Sequence, residues 1–198
     1  MEQSGVYCGG KNASSLLCRP QVRRISVSHG RRIAGIDQWG GYKMNVGDRA
    51  PDFTLKDDRG EKVNLRKFIG GSSVVLFFYP KDNSMVCTSE ACSFRDSYGA
   101  FKELGAEVIG ISSDAEESHA RFAARHRLPF ILLSDPDGAV RKRFGVPRTF
   151  GLLPGRTTYI IDKNGVIRHV FSSQFRAKRH VKEAIRIVQE IHREEETT

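Results

Sequence analysis

Cys87 and Cys92 stand five residues apart where a strongly apolar stretch, Ser73-Val-Val-Leu-Phe-Phe-Tyr79, gives way through Pro80-Lys-Asp-Asn-Ser-Met-Val to helix-forming sequence. A thiol in the first turn of a helix lies beside unpaired N–H groups and the positive end of the macrodipole, and both favour thiolate. Thiolate is the form that attacks peroxides and disulfides, so the placement points to redox chemistry. The plainer reading of Cys87 is a buried small hydrophobe. Its polar flanks Asp82, Asn83, Ser84 and Thr88, on a loop at the carboxyl end of a strand, favour a reactive one. For Cys92 the two readings are a core residue and a partner thiol. On a helix, Cα atoms five residues apart are about 8.6 Å from one another, whereas a disulfide needs less than about 7 Å. A Cys87–Cys92 bridge therefore requires this helix to unwind, and the spacing predicts a switch between a helical dithiol and a locally unfolded disulfide. Metal ligation is the weaker reading, because the two cysteines lack a C-x2-C partner. His119 and His126 fall on another helix and read as surface residues of an amphipathic one. Arg156, in Pro154-Gly-Arg-Thr-Thr158, reads either as solvated surface or as a fixed guanidinium beside the thiolate. Sequence alone does not bring it to Cys87.

These residues need a scaffold, and the texture of the chain supplies one from Val46 onward. Extended Gly47–Leu55, a turn at Asp57-Asp-Arg-Gly60 and Lys62-Val-Asn-Leu65 read as a small hairpin. Residues 73–79 read as a buried strand, continuous in apolar, β-branched and aromatic content. Phe94, Tyr98, Phe101 and Leu104 recur at helical steps, predicting one helix from about Cys87 to Leu104, closed by Gly105. Strand 107–112 follows, then a helix to about His126 with Asp114 as its expected N-cap. Residues 128–133, a turn at Asp135-Pro-Asp-Gly138 and a short helix, Ala139–Phe144, come next. The Asp162-Lys-Asn-Gly165 turn joins two hairpin strands, 157–161 and 166–171. The last helix is expected from about Arg179 to Ile191, with a fraying charged tail over 193–198. The order predicts an α/β domain over 44–192, a three-layer α/β/α arrangement on a mixed sheet with an added N-terminal β-hairpin.

The net charge of +9 does not mark a nucleic-acid binder. Residues 1–44 hold seven Lys/Arg against Glu2 and Asp37, more than half of the excess, and no aromatic residues interleave a basic stripe. Residues 1–43 are rich in Ser, Gly and Arg, nearly free of acid and without sustained apolar periodicity. They read as an organelle transit peptide or a disordered basic tail, and Cys8 and Cys18 lie there. No apolar run approaches membrane-spanning length, so no membrane insertion is expected.

The block from Phe77 to Asp96, Phe-Phe-Tyr-Pro80-Lys-Asp-Asn-Ser-Met-Val-Cys87-Thr-Ser-Glu-Ala-Cys92-Ser-Phe-Arg-Asp, resembles the active-site block of the peroxiredoxin Q family, also called bacterioferritin comigratory protein. Gly47-Asp-Arg-Ala-Pro-Asp-Phe53, Val108-Ile-Gly-Ile-Ser112, Leu132-Leu-Ser-Asp135 and Phe150-Gly-Leu-Leu-Pro-Gly-Arg156-Thr-Thr-Tyr159 extend the resemblance over essentially all of 45–190. It implies a thioredoxin fold and a thiol peroxidase, with a hydroperoxide substrate and thioredoxin as reductant; a monomer is expected, and no cofactor, because the sequence holds no nucleotide fingerprint, haem motif or metal cluster. By position, Cys87 falls on the peroxidatic cysteine, Cys92 on the resolving cysteine, Pro80 on the shielding proline, Ser84 on a hydroxyl residue and Arg156 on the activating arginine. The resemblance further implies an intramolecular Cys87–Cys92 disulfide and, from the plant and algal members, a plastid location. The family usually has Thr-Pro-Gly where this chain has Ser84-Met85-Val86. Two other readings stand beside the peroxidase: a general thiol–disulfide oxidoreductase, disfavoured by the lack of C-x-x-C, and a redox sensor with the same switch but poor turnover.

Overall fold

The computed structural model describes residues 35–36, 42–149 and 153–197. The expectations placed on residues 1–34 and 37–41, including Cys8 and Cys18, and on Phe150-Gly-Leu152 lie outside these described residues. In chain order the strands are β1 (Gly35–Ile36), β2 (Tyr42–Lys43), β3 (Thr54–Asp57), β4 (Lys62–Asn64), β5 (Ser73–Phe78), β6 (Ala106–Ser112), β7 (Ile131–Ser134), β8 (Arg148–Thr149), β9 (Leu153–Pro154), β10 (Thr157–Ile161) and β11 (Ile167–Ser172). The helices are α1 (Met85–Asp96), α2 (Tyr98–Glu103), α3 (Glu116–His126), α4 (Ala139–Arg143) and α5 (Ala177–Glu196).

Seven strands form one mixed sheet in the order β11-β10-β5-β6-β7-β3-β4. The centre, β5-β6-β7, is parallel, and the expected hairpins β3-β4 and β10-β11 add antiparallel edges. Alternation along β5 divides the core. Val75, Phe77 and Tyr79 face α1, α2, α3 and α5, while Val74, Leu76 and Phe78 face Phe53, Leu65, Val140 and Phe144. The layers are therefore unequal: four helices cover one face, and the other is closed by the short α4 and the chain around the first hairpin. Both faces of β5 are buried, which is why its sequence is apolar from Val74 onward.

Two registers carry the functional consequence. Parallel pairing of Phe78 with Ile111 buries the carboxyl end of β5 mid-sheet, where the cysteine loop begins. Antiparallel pairing of Thr157 with Phe78 starts β10 beside that same end. The residue before Thr157 is Arg156.

Several local expectations are corrected. The single helix over 87–104 is two helices, broken at Ser97 (φ −103°, ψ 2°) beside the weak helix former Gly99. Asp114 does not cap α3; Ala115 holds that position, and the Asp114 carboxylate instead accepts from Asp82 N at 2.8 Å and Ser112 Oγ at 2.7 Å. The last helix is longer than its apolar periodicity, reaching Glu196, where Lys163 pairs with Glu195 at 2.7 Å and Arg168 with Glu194 at 2.6 Å. His119 is not a surface residue but fully buried, for the reason given below.

Candidate active site

Ser84 is the extended N-cap of α1 (ψ 145°), which makes Cys87 the third residue of the helix. Cys87, Glu90, Ala91 and Phe94 recur at steps of three and four, so all four fall on the buried stripe. Phe94 fixes that stripe by stacking on Phe77 with ring centroids 4.6 Å apart. Cys87 is 2 % exposed and unbridged, and its sulfur accepts a hydrogen bond from Arg156 Nη2 at 3.2 Å. The arginine reaches it because the β10 register delivers residue 156 to the end of β5.

Arg156 is itself buried, and its guanidinium has three engagements. Besides Cys87, Nη1 donates to Glu90 Oε2 and Nε donates to the Gln174 carbonyl at 3.3 Å. Glu90 has no exposed surface; burial pushes its carboxyl up to about 8, with the charge and hydrogen bond of Arg156 opposing the rise. Its Oε1 has no hydrogen-bond partner and lies 3.6 Å from His180 Nδ1. The tautomer of His180 follows from its neighbours. Nε2 faces the Ser173 carbonyl at 2.9 Å and must donate, leaving Nδ1 to accept from the Thr158 hydroxyl at 2.7 Å. His180 is thus a neutral imidazole, and burial pushes it down to about 4. With Glu90 protonated, Arg156 and a Cys87 thiolate form a balanced pair in the interior. With Glu90 ionised, one arginine serves two anions.

The loop leading into α1 is fastened from below. Tyr79 Oη donates to Asp82 Oδ1 at 2.7 Å, and Ser118 Oγ donates to Asp82 Oδ2 at 2.8 Å. His119 Nδ1 lies 2.9 Å from the same Oδ2, while its Nε2 faces the Leu133 carbonyl at 3.2 Å. Both ring nitrogens face oxygen atoms of buried partners, which is how the fold accommodates the ring in the interior. Burial alone would raise Asp82; the hydrogen bond and charge of His119, with the Tyr79 and Ser118 hydroxyls, outweigh it and hold the carboxyl below its ordinary value.

Of the residues singled out from sequence, the fold brings Cys87 and Arg156 together. Pro80 is half-buried at the start of the cysteine loop. Ser84 Oγ donates to the Lys81 carbonyl at 3.2 Å. Cys92 is half-buried on α1, unbridged, with Sγ 3.9 Å from His126 Nδ1. Sequence reasoning does not single out Glu90 or His180, and gives Asp82 only as a polar flank of Cys87. Glu90 left a signal, since its three-residue step from Cys87 sets it on the same helical stripe. Among the described residues, no cluster of three or more His, Cys, Asp or Glu could hold a metal ion, and no helix is long and apolar enough to cross a membrane.

A buried cysteine in the first turn of a helix after a central strand, on a mixed sheet of this order, defines a thioredoxin-fold protein of the thiol redox class. The AhpC/TSA family model matches residues 46–170, and the chain belongs to that family, within its peroxiredoxin Q group of thiol peroxidases. Similar relatives are named "Peroxiredoxin Q, chloroplastic". The one from Sedum lineare is 51 % identical over 75 % of this chain and 80 % of its own length; that from Triticum aestivum is 47 % identical over 90 % and 79 %. Among solved structures, peroxidoxin BcpB from Mycobacterium tuberculosis superposes with a TM-score of 0.70 at 38 % identity, covering 75 % of this chain and 98 % of that one. A cysteine mutant of Xylella fastidiosa PrxQ gives 0.69 at 27 %, covering 75 % and 98 %.

Proposed function

We propose that the protein reduces hydrogen peroxide and organic hydroperoxides, with Cys87 as the peroxidatic and Cys92 as the resolving cysteine. The observation that carries this reading is the hydrogen bond of 3.2 Å from Arg156 Nη2 to Cys87 Sγ in the first turn of α1. A guanidinium fork at that distance holds a thiolate by a charge-assisted bond and offers further donors to peroxide oxygens. The thiolate attacks one peroxide oxygen; the S–O bond forms, the O–O bond breaks, and the departing alkoxide or hydroxide takes up a proton. Sulfur is oxidised to sulfenic acid as the peroxide is reduced to alcohol or water. The Cys92 thiolate then attacks the Cys87 sulfur, an S–S bond replaces the S–O bond, and hydroxide leaves as water. A dithiol reductant of thioredoxin type restores both thiols by exchange and is itself oxidised to a disulfide. Pro80 shapes the mouth of the loop, and the chain acts as a monomer because both thiols lie on one helix.

The test is thioredoxin-coupled consumption of hydrogen peroxide and an organic hydroperoxide by the full chain. Cys87→Ser should abolish it. Cys92→Ser should complete one turnover and accumulate sulfenic acid, and sustained turnover by that variant would remove Cys92 from the cycle. A redox sensor is the second reading, favoured by the Ser84 hydroxyl being engaged with Lys81. It predicts that the Cys87–Cys92 bridge forms on peroxide treatment while steady-state turnover stays slow.

The location we propose is the plastid. The acid-poor, Ser- and Arg-rich composition of residues 1–43 supports it, as do relatives named chloroplastic. Residues 1–43 fused to a fluorescent protein should enter plastids, and cytosolic fluorescence would count against the assignment.

A further inference from the structure

Arg141, in α4, takes no part in the chemistry above, yet it is a buried cation, 9 % exposed, in contact with both halves of the site. Nη2 donates to the Tyr79 carbonyl and Nη1 to the Gly155 carbonyl, each at 2.7 Å. The two carbonyls are 76 residues apart in sequence and belong to different segments. Tyr79 stands immediately before Pro80, where the cysteine loop begins; Gly155 stands immediately before Arg156. The fork is set on a fixed base. The backbone N–H groups of Val140 and Arg141 donate to the two oxygens of Asp135, at 3.2 and 2.9 Å, and the guanidinium lies 5.6 Å from the Phe78 ring centroid. Burial pushes Arg141 below the ordinary arginine range, while the charges of Asp135 and Cys87 act against that shift, so Cys87 is within its electrostatic reach.

We propose that Arg141 is a positioning residue for peroxide reduction: one side chain clamps the Gly155–Arg156 peptide to the Tyr79–Pro80 peptide, so that Arg156 meets Cys87 and the peroxide in a single geometry. The need for a clamp follows from the topology. β10 and β5 share register up to the Thr157–Phe78 pair, where their ladder ends; Tyr79 keeps a backbone bond to β6, donating to the Ile111 carbonyl at 3.1 Å, on the side away from β10. Past the last ladder bond the strands no longer fix one segment against the other. A planar fork with paired donors spans two carbonyls, which the compact ammonium of lysine does not reproduce. A misplacement of about 1 Å in a group that aligns reacting atoms costs on the order of 100-fold in rate.

This inference rests on the peroxidase reading of Cys87, and the experiment separates the two. In the full chain, Arg141→Lys keeps the charge and removes the fork. Its second-order rate with hydrogen peroxide should fall about 10- to 100-fold. Alkylation of Cys87 by iodoacetamide, which needs the thiol but no aligned peroxide, should change less than about threefold on the same reasoning. Because Arg141 acts through Arg156, adding Arg141→Lys to Arg156→Met should cost little beyond Arg156→Met alone, while the melting temperature falls in both backgrounds. A lower melting temperature with an unchanged ratio of peroxide to alkylation rates would reduce Arg141 to a structural residue and overturn the proposal. An equal further loss in the Arg156→Met background would overturn it too. If wild-type protein fails to consume peroxide although Cys87 alkylates, it is the peroxidase reading that fails.

Discussion

The sharpest perturbation of the site leaves every charged group in place. Gly155 is buried between Pro154 and Arg156, and a Cβ built on its backbone would lie 1.8 Å from the Pro147 carbonyl oxygen. Real Cβ atoms do not approach closer than 3.0 Å, so Gly155→Ala forces a displacement of at least about 1.2 Å, the difference between the two. The obstacle is a backbone carbonyl, not the end of a flexible side chain, so main chain must move at residue 147 or 155. Movement at 155 passes directly to Arg156, whose Nη2 holds Cys87 Sγ at 3.2 Å. A shift of that size at an aligning group predicts about a 100-fold lower rate with hydrogen peroxide. The packing cost is about 1–3 kcal/mol, small enough beside the stability of an ordinary domain, about 5–15 kcal/mol, for the variant to fold. The assay is peroxide consumption under pseudo-first-order conditions, with iodoacetamide alkylation and a thermal melt on the same preparation. A folded Gly155→Ala protein that reacts with peroxide within about threefold of wild type would refute the argument that the Gly155–Pro147 contact sets the arginine.

Two buried groups predict opposing pH dependences of stability. His180, held down to about 4 against its ordinary 6.5, is neutral in the fold while the unfolded chain takes up a proton; stability is lost as pH falls from 6.5 towards 4, and His180→Gln should flatten that limb in urea titrations. Glu90, raised to about 8 from 4.5, contributes stability that is fully present below 4.5 and lost as pH rises through 8, so Glu90→Gln should flatten the alkaline limb; an unchanged limb in either variant would sink the corresponding assignment. Gly110→Ala should lower the melting temperature by about 2–12 °C, because its Cβ would meet Phe77 Cζ at 2.7 Å and Leu132 Cδ2 at 2.8 Å, both on fully buried side chains. A melt within 1 °C of wild type, about the error of the method, would show that Phe77 repacks freely.

What could be read from the sequence was local. The unbroken apolar run 73–79 announces a strand buried on both faces, and the polar loop after it announces where a reactive thiol belongs. Arg156 is different in kind. Its approach to Cys87 depends on pairing Thr157 with Phe78 across 79 residues of chain, and no periodicity encodes that register. His119 reads as a surface residue by chemical type although its spacing points inward, since a residue three before Phe122 and four before Ala123 shares their buried face. Chemical type argued for the surface, because the partner that makes burial tolerable, Asp82, is 37 residues away. Asp114 failed similarly: its carboxylate had a choice between the free N–H groups of α3 and the Asp82 N–H, and tertiary structure chose the second.

The proposed cycle requires α1 both to hold a thiolate and to release it for a bridge to Cys92, and the same contacts allow this. Its first turn is weakly secured: Ser84 makes no side-chain cap bond, no acidic residue complements the dipole, and Met85 is 88 % exposed. Of the residues it buries, Cys87 and Ala91 are small, and Glu90 keeps an unpartnered oxygen that water would satisfy on opening. The apolar anchor is Phe94, which lies beyond Cys92 and stacks on Phe77. Polar attachment of residues 85–92 to the rest of the fold comes through Arg156, by its bonds to Cys87 and Glu90. In the proposed cycle, oxidation of the Cys87 thiolate to the neutral sulfenic acid would remove the ionic half of the first bond. The helix is then free to unwind from its N-terminus while Phe94 stays seated, which shortens the 8.6 Å or so between the two Cα atoms without dismantling the core.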